Sequence, residues 1–235
     1  GQHAAAIDSA TQALSALDDV GARSPRPVHG TRPNKGQGDP APTQMSLLDL
    51  RAESHIAIGK LDLAMKDAKA MMKLVGATRE SPLLKAQALN RLALVQMRTG
   101  DLKGALKSAS AALKLKHSSQ EIRAASYFRL SEAQMRTQQT DASIKNAEQA
   151  VALYQSIGDL SGMGRSYWVL ANDYFDLRKE EECRRYTQLS MELCQQAGDQ
   201  YGIGNAYNAF SFTLVDLAER IRYSQKALQA FETAG

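Results

Sequence analysis

Residues 86–113 read AQALNRLALVQMRTGDLKGALKSASAAL, and this stretch decides the fold. Leu89, Leu92, Ala93 and Gln96 recur at the spacing of one face of a helix. Gly100 is free to take the left-handed conformation that ends a helix. Asp101 then caps the next helix by accepting from its unpaired N–H groups. The second helix carries Ala105, Ala109 and Ala112. Small residues at Ala93 and at these three positions let two helices approach closely, while Leu89, Leu92 and Leu113 fill the seams. The spacing predicts an antiparallel helix pair joined by a very short loop.

The same unit recurs on both sides of this stretch. Leu48, Arg51-Ala52 and His55 lead to Gly59, then Ala64, Ala68 and Met71. Tyr127, Leu130-Ser131 and Gln134 lead to Gln138, then Ser143, Ala147 and Ala150. Tyr167, Leu170-Ala171 and Tyr174 lead to Arg178, then Cys183, Thr187 and Ser190. Tyr207, Phe210-Ser211 and Leu214 lead to Ala218, then Ala227 and Ala230. The matching small residues Ala52, Ala93, Ser131, Ala171 and Ser211 are 41, 38, 40 and 40 apart. Five pairs are expected, at about 44–80, 81–117, 118–158, 159–198 and 199–235. Ser81-Pro82 offers a cap followed by proline at the first helical position. Ser118 to Glu121 fits a capping box, and Thr140-Asp141 can start a second helix. Gly158-Asp159 and Gly198-Asp199 mark the last two inter-repeat turns.

Residues 1–18 read as the second helix of a truncated first repeat, carried by Ala6, Ala10 and Ala13-Leu14. Such a start implies a segment of a larger protein, with an open half-repeat able to pack on further repeats or another subunit. Residues 19–43 break the pattern. They hold five of the six prolines, four glycines and almost no large apolar side chains, so a flexible basic insertion is expected there.

Composition narrows the function. The chain has 235 residues, 43% of them hydrophobic and 23% charged, enough for a sizeable core. No apolar run is long enough to span a bilayer, and no basic region precedes an apolar block at the N-terminus. An intracellular location, cytoplasmic or nuclear, is expected. Cys183 and Cys194 have neither a CxxC nor a zinc spacing and read as small packing residues. The net charge of +4 is uneven. From Lys60 to Lys116 there are 12 basic and 4 acidic residues, whereas from Asn172 onward there are 10 acidic and 7 basic.

The Leu-Ala or Leu-Ser pair, the aromatic or Gln after it, the Gly turn and the three spaced small residues resemble the tetratricopeptide repeat. The period, nearer 40 than the usual roughly 34 residues, resembles the longer-helix subclass found in spindle-orientation adaptors, MalT-like regulators and Rap-type regulators. Residues 167–174, YWVLANDY, are similar to the first helix of the spindle-orientation adaptors, with Ala171 in place of Gly. In the next unit Phe212 stands where Asn is expected. The resemblance implies an all-α fold, a right-handed α-solenoid of stacked antiparallel pairs whose concave wall is made by the first helices. It places Asn90, Arg98, Arg136, Arg165, Trp168, Asn172, Asn205 and Asn208 on that wall. Asn and Arg side chains hold peptide backbone or carboxylate, and Trp168 offers an apolar anchor. The chaperone-tail clamp of the family is absent. Its positions carry Asp49 and Glu53, Asn90 and Leu94, and Phe128 and Glu132.

Other functions find less support. The four histidines are scattered, and no HExxH pair, GxSxG motif or phosphate-binding glycine loop is present. No enzyme activity and no cofactor or metal are expected. Lys66, Lys69 and Lys73, with Lys103 and Lys107, suit a convex surface that could meet an acidic partner. Aromatics are not interleaved with them, which argues against nucleic acid. The expected partner is a protein or peptide, with no membrane. The expected role is a non-catalytic scaffold or adaptor. The alternative is a sensor arm that binds a peptide or small ligand and controls an attached output domain.

Overall fold

The computed structural model describes residues 2–23, 40–77, 81–117 and 119–234. These form α1 (Gln2–Arg23), α2 (Pro40–Ala57), α3 (Leu61–Ala77), α4 (Pro82–Arg98), α5 (Leu102–Lys114) and α6 (Gln120–Arg136). They continue as α7 (Thr140–Ile157), α8 (Leu160–Asp176), α9 (Glu180–Ala197), α10 (Gln200–Phe212) and α11 (Leu217–Ala234). Each helix packs on its neighbours in chain order, and α2, α4, α6, α8 and α10 also pack on one another in succession. This is an all-α solenoid of helix pairs, with the first helices as one wall and the second helices as an outer layer. The helices flanking the expected insertion run further than the sequence suggests. Helix α1 continues to Arg23 and α2 begins at Pro40, because proline is tolerated in a first helical turn. Residues 24–39 of that segment lie outside the described residues.

The small residues of the repeat are all buried, from Ala52, Ala64 and Ala68 through Ala227 and Ala230. They bring the helix backbones close, and Met71, Val95, Leu170 and Val169 fill what remains. Cys183 and Cys194 are buried thiols in this layer. Burial pushes the Cys194 thiol up to about 12, so it stays protonated at neutral pH.

One slot in the pair is filled differently each time. His55 Nδ1 donates to Asp67 at 3.0 Å, Ser108 Oγ donates to Gln96 at 2.7 Å, and Asn146 Nδ2 donates to Gln134 at 2.8 Å. Tyr174 and Tyr186 stack there at 5.3 Å. In each case the partners are the same distance apart in sequence, one on the first helix and one on the second.

The caps follow local rules. Ser81 accepts from Leu84 N, and Asp101, Asp159 and Asp199 each accept from the N–H three residues on. The cap of α6 is Ser119, one residue past the expected Ser118, which lies outside the described residues. Helix α10 ends early, at Phe212, and Asp216 Oδ1 accepts from Glu219 N at the start of α11. Ala218 therefore lies inside α11 rather than in the turn expected from the repeat.

The turns within the pairs α2–α3 to α8–α9 take a positive φ, whereas the turn between α10 and α11 does not. Gly59 and Gly100 supply it at 72° and 83°, but the corresponding residues of the next two pairs are Gln138 at 58° and Arg178 at 59°. A side chain there is strained by about 1–2 kcal/mol. Gln138→Gly is expected to raise stability by about 0.5–1 kcal/mol, less than the strain because glycine loses more entropy on folding. Urea unfolding measures it, and an unchanged or lower midpoint would mean that the turn is unstrained.

Candidate functional site

The wall of first helices curves until the two ends of the described stack touch. His3 Nε2 of α1 lies 3.2 Å from the carbonyl oxygen of Ala234 in α11, which accepts from it. The curvature frames an open chamber of about 710 Å³. It is lined from α2 by Glu53 and Ile56, from α4 by Arg91, Leu94 and Arg98, and from α6 by Phe128, Arg129 and Glu132. Arg165 and Trp168 of α8, Asp199 at the cap of α10, Tyr201 and Asn205 of α10 and Phe231 of α11 line it too.

Ion pairs between successive repeats fix much of this lining. Arg91 Nε donates to Asp49 at 2.5 Å and Arg91 Nη2 to Glu53 at 3.2 Å. Burial works against the Arg91 charge, but these two carboxylates outweigh it and raise its pKa. Arg165 grips both oxygens of Asp199, at 2.5 and 2.7 Å, while the same carboxylate caps α10. Burial would raise the Asp199 pKa, yet Arg165 and the Gly202 N–H hold it below the usual carboxylate range.

The centre of the chamber is different. Glu132 is buried and meets Arg129 at 3.2 Å and Arg136 at 3.3 Å. Burial alone would raise its pKa, but Arg129, Arg98 and Arg136 together lower it. Arg129 is pushed down by burial and further by Arg165 and Arg91, with Glu132 opposing. Arg98 lies over the Tyr201 ring at 4.6 Å, and Arg165 stands 5.8 Å from the same ring. This contact spans the chamber from α4 to α10.

Of the wall residues expected from the sequence, Arg98, Arg165, Trp168 and Asn205 line the chamber. Trp168 is 9% exposed, so most of its ring belongs to the core cluster with Phe128 and only an edge meets the space. Asn90, Arg136, Asn172 and Asn208 are not among the lining residues. Asn90 is buried between α4 and α6, where Nδ2 donates to Ile122 O and Ser126 Oγ. Asn172 Nδ2 donates to Trp168 O in its own helix, Arg136 serves Glu132, and Asn208 is exposed. Lys66, Lys69, Lys73, Lys103 and Lys107 are exposed on α3 and α5, in the outer layer. Arg91, Arg129 and Tyr201 were not expected in the lining. Arg91 and Arg129 occupy one position in consecutive units, 38 apart, which is the signal in the sequence that could have found them.

Among the described residues, no cluster of His, Cys, Asp and Glu is placed to hold a metal ion. No described helix is long and apolar enough to cross a membrane.

No protein-family model and no curated protein sequence matches the chain. Solved structures do. BtubC (BKLC) of P. vanneervenii is 14% identical, with a TM-score of 0.66 over 100% of this chain and 90% of that one. A Rap protein complexed with Competence and Sporulation Factor is 15% identical, with a TM-score of 0.66 over 99% of this chain and 66% of that one. The nearly identical TPR-like repeats described as kinesin light chain in Podospora anserina are 15% identical, with a TM-score of 0.57 over 84% of this chain and 95% of that one. The fold is that of the tetratricopeptide-type helical-repeat proteins.

Proposed function

We propose that the chain is a non-catalytic protein-interaction segment, a scaffold or adaptor that takes a peptide or helix of its partner into the chamber framed by the first helices. The observation that carries this reading is the lining itself. It combines guanidinium groups with apolar surface from Ile56, Tyr201 and Phe231 and with the edges of Leu94, Phe128 and Trp168 in one concave space, the mixture that anchors a peptide. A Rap protein of similar fold is complexed with Competence and Sporulation Factor, which supports the same use of a repeat array. The proposed contacts are Arg98, Arg165, Trp168 and Asn205.

Affinity capture from cell extract tests it, with two variants that keep their helical circular dichroism. Asn205→Trp fills the chamber and is expected to lose the partner held by the wild type. Lys66→Glu/Lys69→Glu/Lys73→Glu reverses charge on the outer face and is expected to keep it. The opposite pattern would move the binding surface to the outer layer and its acidic partner.

A second reading draws on the chamber volume, about 710 Å³, which lies in the range of small-molecule sites. In that case the repeats are a sensor arm whose ligand alters the curvature and so an attached output domain.

A further inference from the structure

Four arginines and three carboxylates line the chamber, and Asp49 and Arg136 pair with them from outside the lining, so the excess is one cation either way. The surplus is not spread evenly. Arg91 has Asp49 and Glu53, and Arg165 has both oxygens of Asp199. At the centre, Glu132 is the one carboxylate that Arg98, Arg129 and Arg136 all face. Among the described residues Arg98 has no carboxylate within ion-pair distance and rests on the Tyr201 ring instead. Arg129 spends one N–H on Glu132 at 3.2 Å, whereas a guanidinium has five N–H donors in a fixed fork. It is half-buried, and two further arginines, Arg91 and Arg165, oppose its charge.

We infer that the chamber takes one carboxylate, and that the partner segment is therefore an acidic peptide with an Asp or Glu side chain seated between Arg98 and Arg129. The inference rests on the proposed peptide-binding role. A single carboxylate matches the surplus of one charge, whereas a phosphate dianion would overshoot it. Arg98 and Arg129 lie on α4 and α6, with α2 on one side of them and α8 and α10 on the other. A bound segment therefore continues in both directions, and the carboxylate is a side chain rather than a chain end. Ile56 and Phe231, half-buried in the same lining, give the neighbouring residue of the peptide an apolar seat. Charge-assisted hydrogen bonds to a guanidinium are roughly twice as strong as neutral ones.

The experiment selects short random peptides displayed on phage against the whole chain. Binding of the enriched peptides is read by the emission of Trp168, the one tryptophan in the chain and a lining residue. The enriched peptides are expected to share an Asp or Glu. Its replacement in the peptide by Asn or Gln is expected to weaken binding about ten- to a hundredfold, the effect of losing a hydrogen-bonded charge. Arg98→Gln/Arg129→Gln should abolish the difference between acid and amide peptides, while Lys107→Gln should leave it intact. Arg98→Gln alone is the second variant, since among the described residues Arg98 holds no ion pair and its loss is expected to spare folding; it should shrink the difference between acid and amide peptides. Peptides that alter Trp168 emission, are lost with Asn205→Trp, yet bind equally as acid and amide would overturn the carboxylate site and leave the peptide-binding role standing. Peptides that survive Asn205→Trp without changing the emission, or no enrichment at all, would overturn both.

Discussion

Asp67→Ala is expected to lower the stability of the chain by about 3–5 kcal/mol, the usual result of removing one partner from a buried ion pair. Asp67 on α3 is 3% exposed. It accepts from Arg51 Nη2 at 2.6 Å, from Arg51 Nε at 3.1 and 3.2 Å, and from His55 Nδ1 at 3.0 Å. Arg51 also donates to Thr11 Oγ1 at 3.2 Å, which ties α1 to the first full pair. Without Asp67 the Arg51 guanidinium is left with its charge uncompensated, and α1 loses part of its anchor. Urea unfolding measures the effect. Adding Arg51→Leu and His55→Leu should recover most of the loss, because no stranded polar group then remains. A triple variant as unstable as Asp67→Ala would assign the loss to packing instead.

The second large effect depends on pH and centres on Asp173. Its side chain is fully buried on α8, where Val95 and Ala133 stand at the same position in the preceding units. Burial raises its pKa to about 7, Asp176 adds to the rise, and the hydrogen bond from Ser143 opposes it. Ser143 Oγ lies 2.6 Å from Asp173 Oδ2 and 3.0 Å from the carbonyl oxygen of Ser131. One hydroxyl proton cannot serve both acceptors. A protonated Asp173 resolves this, because its O–H donates to Ser143 Oγ and frees the Ser143 proton for Ser131. Among the described residues the other oxygen, Oδ1, is buried without a hydrogen-bond partner, which further disfavours the anion.

The folded pKa is raised above that of the unfolded chain, so in the acid range the native state binds the proton more tightly. This contribution to stability is fully present below the unfolded value near 4. It is lost as pH rises through the folded value of about 7. At about 1.4 kcal/mol per pKa unit, wild type is expected to lose up to about 4 kcal/mol between roughly pH 4 and pH 8 from this group. Asp173→Asn should remove that dependence, matching wild type near the acid end and exceeding it by up to the same amount at pH 8. Thermal or urea unfolding across this range decides it. Parallel curves for the two proteins would show that Asp173 titrates as an ordinary carboxylate.

Much of the fold was legible because its rules act over a few residues. A left-handed glycine such as Gly100 ends a helix, an aspartate such as Asp101 starts the next, and the small residues along each unit fix which faces approach. Ala52, Ala93, Ser131, Ala171 and Ser211 could be aligned by eye, and all are buried. The early end of α10 and the longer α1 were harder to read. They depart from the repeat, and no strong local signal replaces it there.

The chamber was less legible for a different reason. Repeat position placed Arg98, Arg165, Trp168 and Asn205 on the inner wall, and the structure lines the chamber with them. It also assigned Asn90 to the wall, but that side chain turns between helices to reach Ser126. Partner choice depends on what the neighbouring unit offers, as with Arg91 and Asp49 or Arg165 and Asp199. Most of the helices and turns, and the order of the pairs, could be read from the chain alone, because capping, backbone conformation and helical period are local. The tertiary structure alone decided that His3 meets Ala234, that Arg98 crosses to Tyr201, and that three arginines share Glu132. These meetings depend on the small rotation between successive repeats, which accumulates along the stack and is set by the packing of whole helices rather than by any one stretch of chain.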